Sequence, residues 1–385
     1  MLLVRNGNVM TMTRPAFTGD IAIENGKISA IGTGLSGAGA EVLDASGCFV
    51  LPGLVDAHCH IGLCGDGMGD AGEDVNESSE PVTPQLRAID GLNPFDPCFR
   101  EARSGGVTSV LTGPGSANVV GGQFIAMKTA GDSAEAMAIL APAAMKAAFG
   151  ENPKRVYQEN KASPYTRMAI AAHLRQSLVD AEEYIKKSGS KKAADAPERD
   201  LGKEAMARVI RRELPMKMHA HRADDILTAL RIAKEFNIRV TLDHCTEAHL
   251  ILDQLKREVA ATGAKIILGP LMCERSKVEL RNFSPRTPLE LYRAGIPFAL
   301  MTDHPCIPIQ YLSVLAAIAA REGLPEEEAL KAITVNAAAA AGIESRAGTL
   351  EVGKDADIAV FDGHPLEFRT KCVATIVDGA IVYQQ

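Results

Sequence analysis

Residues 54–62, LVDAHCHIG, end an apolar run with His58 and His60 one residue apart. In a β-strand, residues two apart face the same side, so both imidazoles project from one face, with Asp56 on that face one pair deeper and Cys59 turned away. Neutral imidazole is a good ligand for a divalent ion, and two at this spacing can chelate one ion together. A single buried histidine is most often a hydrogen-bonded core residue, so the pair alone decides little. The rest of the chain adds to it: PMKMHAH ends in His219 and His221, RVTLDH ends in His244, and FALMTD ends in Asp303 with His304 next to it. Six of the nine histidines (58, 60, 219, 221, 244 and 304) thus lie within one residue of an expected strand end. Histidines that served only local hydrogen bonds would have no reason to gather at one rim. The set predicts a metal site.

The elements that must position these residues alternate. Strand candidates FVLPGLVDAH, VTSVLT, QFIAMKT, AAMKAAF, PMKMHAH, RVTLDH, KIILGP and FALMTD are mostly followed by helical stretches. ADDILTALRIAKEF follows PMKMHAH, and EAHLILDQLKREVAATG follows RVTLDH, with Gly263 in position to cap it. Repeated strand–helix units predict a parallel sheet, and eight such strands close a barrel whose functional groups collect at the strand C-termini. A doubly wound open sheet has the same pattern. Both ends of the chain read instead as short strands with turns: Asn6-Gly7, Asn25-Gly26 and Asp378-Gly379 are hairpin signals. Neither end can bury a core alone. The expectation is an α/β protein: a (β/α)8 TIM barrel over 53–347, with a small β-sandwich-like domain formed by both chain termini, 1–52 and 348–385. Residues 186–204, KKSGSKKAADAPERDLGKE, are polar, charged and broken by Gly and Pro, and read as a solvated loop between surface helices.

Composition narrows the function. The 385 residues are 46% hydrophobic and 23% charged, ordinary values for a globular chain with a core to bury. The net charge of −7, the mixed charge pattern and the absence of Trp argue against nucleic acid as a partner. No apolar run is long enough to span a membrane, and the N-terminus lacks the layout of a signal peptide. Eight scattered cysteines without a C-x-x-C pair suit free thiols in a reducing cytoplasm and make cysteine ligation of zinc unattractive. A small-molecule substrate and a homo-oligomer are the expected partners.

L-P-G-L-V-D-A-H-C-H closing a first strand, a His after each of two later strands, T-D after the last, and the late segment V-G-K-D-A-D-I-A-V-F-D (352–362) together resemble the amidohydrolase superfamily. Within it, the chain looks most like the imidazolonepropionase-related and prolidase-like branch. The resemblance implies a (β/α)8 barrel with one or two divalent ions, commonly Zn2+. Carried over by position, His58 and His60 would hold the more buried ion with Asp303, and His219 and His244 the second. His219 is preferred to His221 because the family's ligand comes first, at the strand end; His221 becomes a substrate or outer group. His249 reads as a helix-start residue. Relatives often bridge two ions with a lysine whose amine has captured CO2. Lys146, in PAAMKAAFGENP, is the candidate, since burial in an apolar strand favours the neutral amine that reacts with CO2. Glu151 is the alternative metal ligand, and Lys128 in QFIAMKTAG a weaker rival.

The chemistry implied is hydrolysis of a carbon–nitrogen bond in an amide, lactam, cyclic imide or small dipeptide, with Asp303 as acid–base residue and His221 or His304 donating to the oxyanion. The glycine-rich loop 113–123 lacks a phosphate-binding ending and reads as a pocket border that includes Gln123, while Arg275 and Lys277 are candidates to hold a substrate carboxylate. Two alternatives share the fold. A mononuclear zinc aminohydrolase (deaminase) would carry a glutamate shortly after the fifth-strand histidine, where this chain reads H-A-H-R-A-D-D. A non-catalytic scaffold relative would have lost ligands that are present here.

Overall fold

The computed structural model describes residues 1–189 and 197–385. The middle of the expected 186–204 loop therefore lies outside the described residues; the flanking helices are Arg167–Ser188 and Leu201–Ile210. Two eight-stranded sheets organise the rest.

The chain ends build the first. Strands β1 (Leu2–Val9), β2 (Phe17–Glu24), β3 (Lys27–Gly32), β4 (Glu41–Asp44) and β5 (Phe49–Pro52) come from the N-terminus. The C-terminal β14 (Ile358–Phe361) pairs antiparallel with β5 and continues into β15 (Cys372–Val377) and β16 (Ala380–Gln384). All eight belong to one hydrogen-bonded sheet, and Val4, Ile21, Val50, Ile358 and Ile376 share one buried cluster drawn from both ends. Asn25-Gly26 and Asp378-Gly379 turn hairpins as expected, joining β2 to β3 and β15 to β16. Asn6-Gly7 does not. It lies inside β1, where the register with β2 slips between Val4 and Gly7 and Asn6 takes φ 61°, so the signal marks a bulge. A side chain at Gly7 would meet Val50 at 2.4 Å, which explains the glycine.

The second sheet is the barrel: β6 (Leu54–Cys59), β7 (Val107–Thr112), β8 (Val120–Lys128), β9 (Ala138–Ala148), β10 (Met216–Ala220), β11 (Val240–His244), β12 (Lys265–Leu268) and β13 (Phe298–Leu300), in that spatial order. β6, β7 and β10 to β12 are buried almost throughout because helices cover one face and the barrel interior the other. The helix Ala223–Glu235 starts with Asp224 and Asp225 and ends with Lys234, matching its dipole, and Gly263 caps Leu252–Thr262 at φ 69°.

One strand departs from the expected parallel barrel. β8 runs antiparallel to both β7 and β9. Its connections, residues 113–119 and 129–137, are shorter than the dozen or so residues a parallel crossover needs, so the chain folds back twice. The reversal carries Lys128 to the end of the barrel remote from the histidines. There its buried ammonium lies 2.7 Å from Asp355 and also pairs with Asp357, tying the barrel to the terminal sheet.

The short β13 meets β6 through the segments just beyond both strands. The His60 amide donates to the His304 carbonyl (3.0 Å) and the Asp303 amide to the His58 carbonyl (3.1 Å). Below this seam the Asp56 carboxylate accepts from the Thr302 amide and hydroxyl and from the His58 amide. Burial pushes the Asp56 carboxyl up to about 7 despite these donors.

Gly53 joins the terminal sheet to the barrel between β5 and β6. A Cβ there would fall 2.1 Å from Thr108 Oγ1, on a side chain that is itself fully buried. Gly53→Ala is therefore expected to destabilise the fold by about 1–3 kcal/mol, the usual cost of overpacking, seen as a lower urea midpoint with an unchanged slope.

Candidate metal centre

The barrel's twist and closure bring the strand-end residues onto one rim. His58 sits on β6 and His60 just after it; His219 lies on β10 and His221 just beyond; His244 ends β11; Asp303 follows β13. His244 and Asp303 take φ 73° and 54°, left-handed values that turn the chain at the strand ends.

Hydrogen bonds orient the rings. His60 Nδ1 is 2.7 Å from the Gly113 carbonyl and His244 Nδ1 is 3.0 Å from the Gly269 carbonyl. A carbonyl only accepts, so both rings carry the proton on Nδ1 and keep a lone pair on Nε2. His219 Nδ1 faces Ser116 Oγ at 3.0 Å and His221 Nδ1 faces Thr246 Oγ1 at 2.8 Å. His58 Nδ1 lies 3.1 Å from Asp243 Oδ2, while Nε2 lies 3.3 Å from Asp303 Oδ1. His60 Nε2 is also 3.3 Å from that oxygen.

Ligand atoms of His219, His221 and His244 lie within 4.8 Å of one another, as do those of His58, His244 and Asp303. His219 Nε2 and His244 Nε2 are buried without a hydrogen-bond partner. Several imidazoles and one carboxylate, some of their lone pairs unmatched, form a donor set suited to zinc or a similar divalent ion. The residues fit such an ion.

The electrostatics agree with this. Burial, helped by neighbouring cationic groups, holds the His219, His221 and His244 imidazoles well below their ordinary range and His58 down at about 4, so the rings stay neutral as ligation requires. Burial works to raise the Asp303 carboxyl, yet His244, His58 and His60 leave it well below the usual carboxylate range.

Lys146, fully buried on β9, places Nζ 3.5 Å from His58 Nε2, and burial lowers its ammonium to about 8. Beside it in register on β10 is Lys217, also fully buried. Its Nζ donates to the Ala57 carbonyl and to Asp243 Oδ1, both at 2.9 Å. Lys217 and Asp243 escaped the sequence reading, because a lysine inside PMKMHAH and an aspartate inside RVTLDH acquire meaning only as a pair beneath His58.

A cavity of about 310 Å³ opens above these groups, bordered by His60, Ser116, Asn152, His219, His244 and Asp303, with Lys277 also lining it. Of the residues expected to contact substrate, Lys277 alone is brought there. The Arg275 guanidinium is committed to the carbonyls of Arg281 and Phe283. Gln123 lies mid-strand on the reversed β8 and donates to the Pro84 carbonyl, away from the rim. His304 Nδ1 accepts the Ile309 amide, leaving Nε2 buried and without a partner. His249 sits in a 3-10 turn beside Thr287. Glu151 opens the helix Glu151–Glu159, where its amide donates to Glu279 Oε2 at 2.9 Å. Glu279 is a further residue the sequence reading missed. It shares the 273–282 stretch with Arg275 and Lys277, and no spacing rule singles out a glutamate after the seventh barrel strand.

Comparison with known proteins places this arrangement. A family model described as the amidohydrolase family matches residues 95–383. The amidohydrolase tasK of Hapsidospora irregularis is 29% identical over 389 residues, covering 94% of this chain and 39% of its own length. The D-hydantoinase of Geobacillus stearothermophilus is 44% identical over 61 residues, 16% of this chain and 13% of that protein. The chain thus spans about two fifths or less of the length of these relatives. The crystal structure of an amidohydrolase from Thermotoga maritima MSB8 is 42% identical, covers 100% of both chains and superposes with a TM-score of 0.96. A prolidase crystallised with N-methylphosphonate-L-proline, 16% identical with a TM-score of 0.61, shares the fold alone. With a family match over most of its length and the rim of histidines in place, the chain belongs to the amidohydrolase family.

Proposed function

We propose that this chain is a metal-dependent hydrolase that opens a carbon–nitrogen bond in an amide, lactam, cyclic imide or small dipeptide, at a binuclear zinc site bridged by a carbamate on Lys146. The observation that carries the reading is the rim itself: five buried imidazoles, the Asp303 carboxylate and a buried lysine converge beneath one cavity. His58, His60 and Asp303 would hold one ion, and His219 and His244 the other. When bound, such ions supply Lewis acidity toward a carbonyl and lower the pKa of water.

The chain's own groups supply the rest. The Lys146 amine, made less basic by burial, would add to CO2, an N–C bond forming as one C–O π bond opens and one proton leaving to solvent, and the resulting carbamate would offer carboxylate oxygens as further ligands to the ions. Asp303, held ionised at rest, takes the proton of the attacking water and returns it to the leaving nitrogen. Neutral His304, whose Nδ1 is an acceptor, carries its proton on Nε2 and would donate a hydrogen bond from it to the developing oxyanion, keeping the proton. Lys277, on the cavity wall, faces a substrate carboxylate.

The test is metal removal. Chelator-stripped chain should lose turnover across a panel of N-acyl amino acids, dipeptides and cyclic imides, and regain it with Zn2+. Elemental analysis should give two ions per native chain and one in Lys146→Ala, and carbon-13 bicarbonate should produce a carbamate resonance that this variant lacks. One ion in both proteins would favour the mononuclear aminohydrolase instead, and no metal in either would overturn the hydrolase reading.

A further inference from the structure

Glu279 is only 1% exposed, and its Oε1 has no hydrogen-bond partner. A buried carboxylate oxygen without a partner is costly and needs a reason. The side chain is held firmly. Oε2 accepts the Glu151 amide at the start of the helix Glu151–Glu159, and the Glu279 amide faces Glu151 Oε2 at 3.4 Å in return. Gly150 makes room for this: at φ 86°, a Cβ there would lie 2.6 Å from Glu279 Oε2. With Oε2 fixed, Oε1 is aimed across the rim at His221 Nε2 (3.7 Å) and His219 Nε2 (3.9 Å).

These distances are too long for hydrogen bonds. They are close to the separation of about 3.4 Å between two donors around one tetrahedral zinc, given bonds of about 2.0–2.1 Å. The third wall is His244, whose Nδ1 proton is committed to the Gly269 carbonyl, so that its buried Nε2 offers a lone pair. The contact of His221 Nδ1 with Thr246 Oγ1, at 2.8 Å, turns that ring so that its Nε2 faces Glu279. Among the described residues, the basic side chains within 4.0 Å of Glu279 are these neutral imidazoles, with no ammonium or guanidinium to neutralise it.

We propose that Glu279 and His221 join His219 and His244 in a four-donor divalent-cation site, complete without Lys146. The proposal rests on reading the rim as a metal centre, and moves His221 from the substrate to the ion. The ion opposite, at His58, His60 and Asp303, then becomes the one whose retention depends on the lysine.

The test is zinc stoichiometry and affinity of the full chain after chelator stripping, by competition with a chromogenic chelator, with circular dichroism to check folding. Glu279→Gln keeps an oxygen for the Glu151 amide, and His221→Asn changes a different element, so the two variants are independent. Each is expected to bind one zinc fewer than the native chain, or to bind it at least tenfold more weakly, while Lys146→Ala keeps that ion. Native-like loading of folded Glu279→Gln and His221→Asn would overturn the proposal while leaving the metal reading intact. A native chain that takes up no zinc would overturn both.

Discussion

Asp303→Asn is expected to lower kcat/KM by about 10³-fold, within the 10²–10⁴ range of a lost general acid–base, which corresponds to roughly 4 kcal/mol of barrier. The substitution removes the charge and the proton-accepting oxygen while keeping the size. It also suits the backbone: at φ 54°, asparagine is among the residues best tolerated in the left-handed region, so the seam beside His58 should survive. The loss should fall mainly on kcat, because Asp303 acts on the reacting atoms and not on remote parts of the substrate. Steady-state kinetics of the zinc-loaded variant, with metal content measured on the same sample, separate slow chemistry from a missing ion. A variant that kept more than a tenth of native turnover would take Asp303 out of the proton path.

Lys128→Met is the second large effect, and it concerns stability. The ammonium is buried between Asp355 and Asp357, and removing one partner of a buried ion pair typically costs about 3–5 kcal/mol. Asp355 retains Lys27 and Arg346, whereas Asp357 is left with backbone donation from Asp378. The cost should therefore centre on Asp357, and the double variant Lys128→Met/Asp357→Asn should recover part of it. Urea denaturation measures both. Because Lys128 lies at the far end of the barrel, the folded fraction should load zinc normally. A shift below about 1 kcal/mol would mean that water or another cation replaces the ammonium.

Lys128 also shows where a linear reading of the chain runs out. Strand ends were legible because an imidazole pair at spacing two has one geometric meaning in a strand, and because the barrel gathers its strand ends on one face. The strands were legible, but the direction of β8 was not inferred from their pattern, although its short connections held the information. Reversing that one strand puts Lys128 at the wrong end and sets Gln123 against Pro84. Arg275 and Lys277 are equivalent by composition; backbone carbonyls that only the folded loop brings together capture one and leave the other on the cavity. Glu279, Lys217 and Asp243 are defined by partners far away in sequence: Glu151, Ala57 and His58. No local pattern marks such residues.

The seam between the first and last barrel strands has a further consequence. His58 and Asp303 are joined there by a backbone hydrogen bond, and they are also the proposed ligands of one ion. An ion shared by them would act as a removable cross-link closing a loop of more than two hundred residues, the kind of long-range closure whose entropic effect in the unfolded chain is largest. Cofactor occupancy and the topology of the barrel would then be one variable. The protein would lose the clasp that shuts its cylinder in the same event that stops its chemistry, so that a depleted chain becomes both silent and easier to unravel from the strand where it was closed.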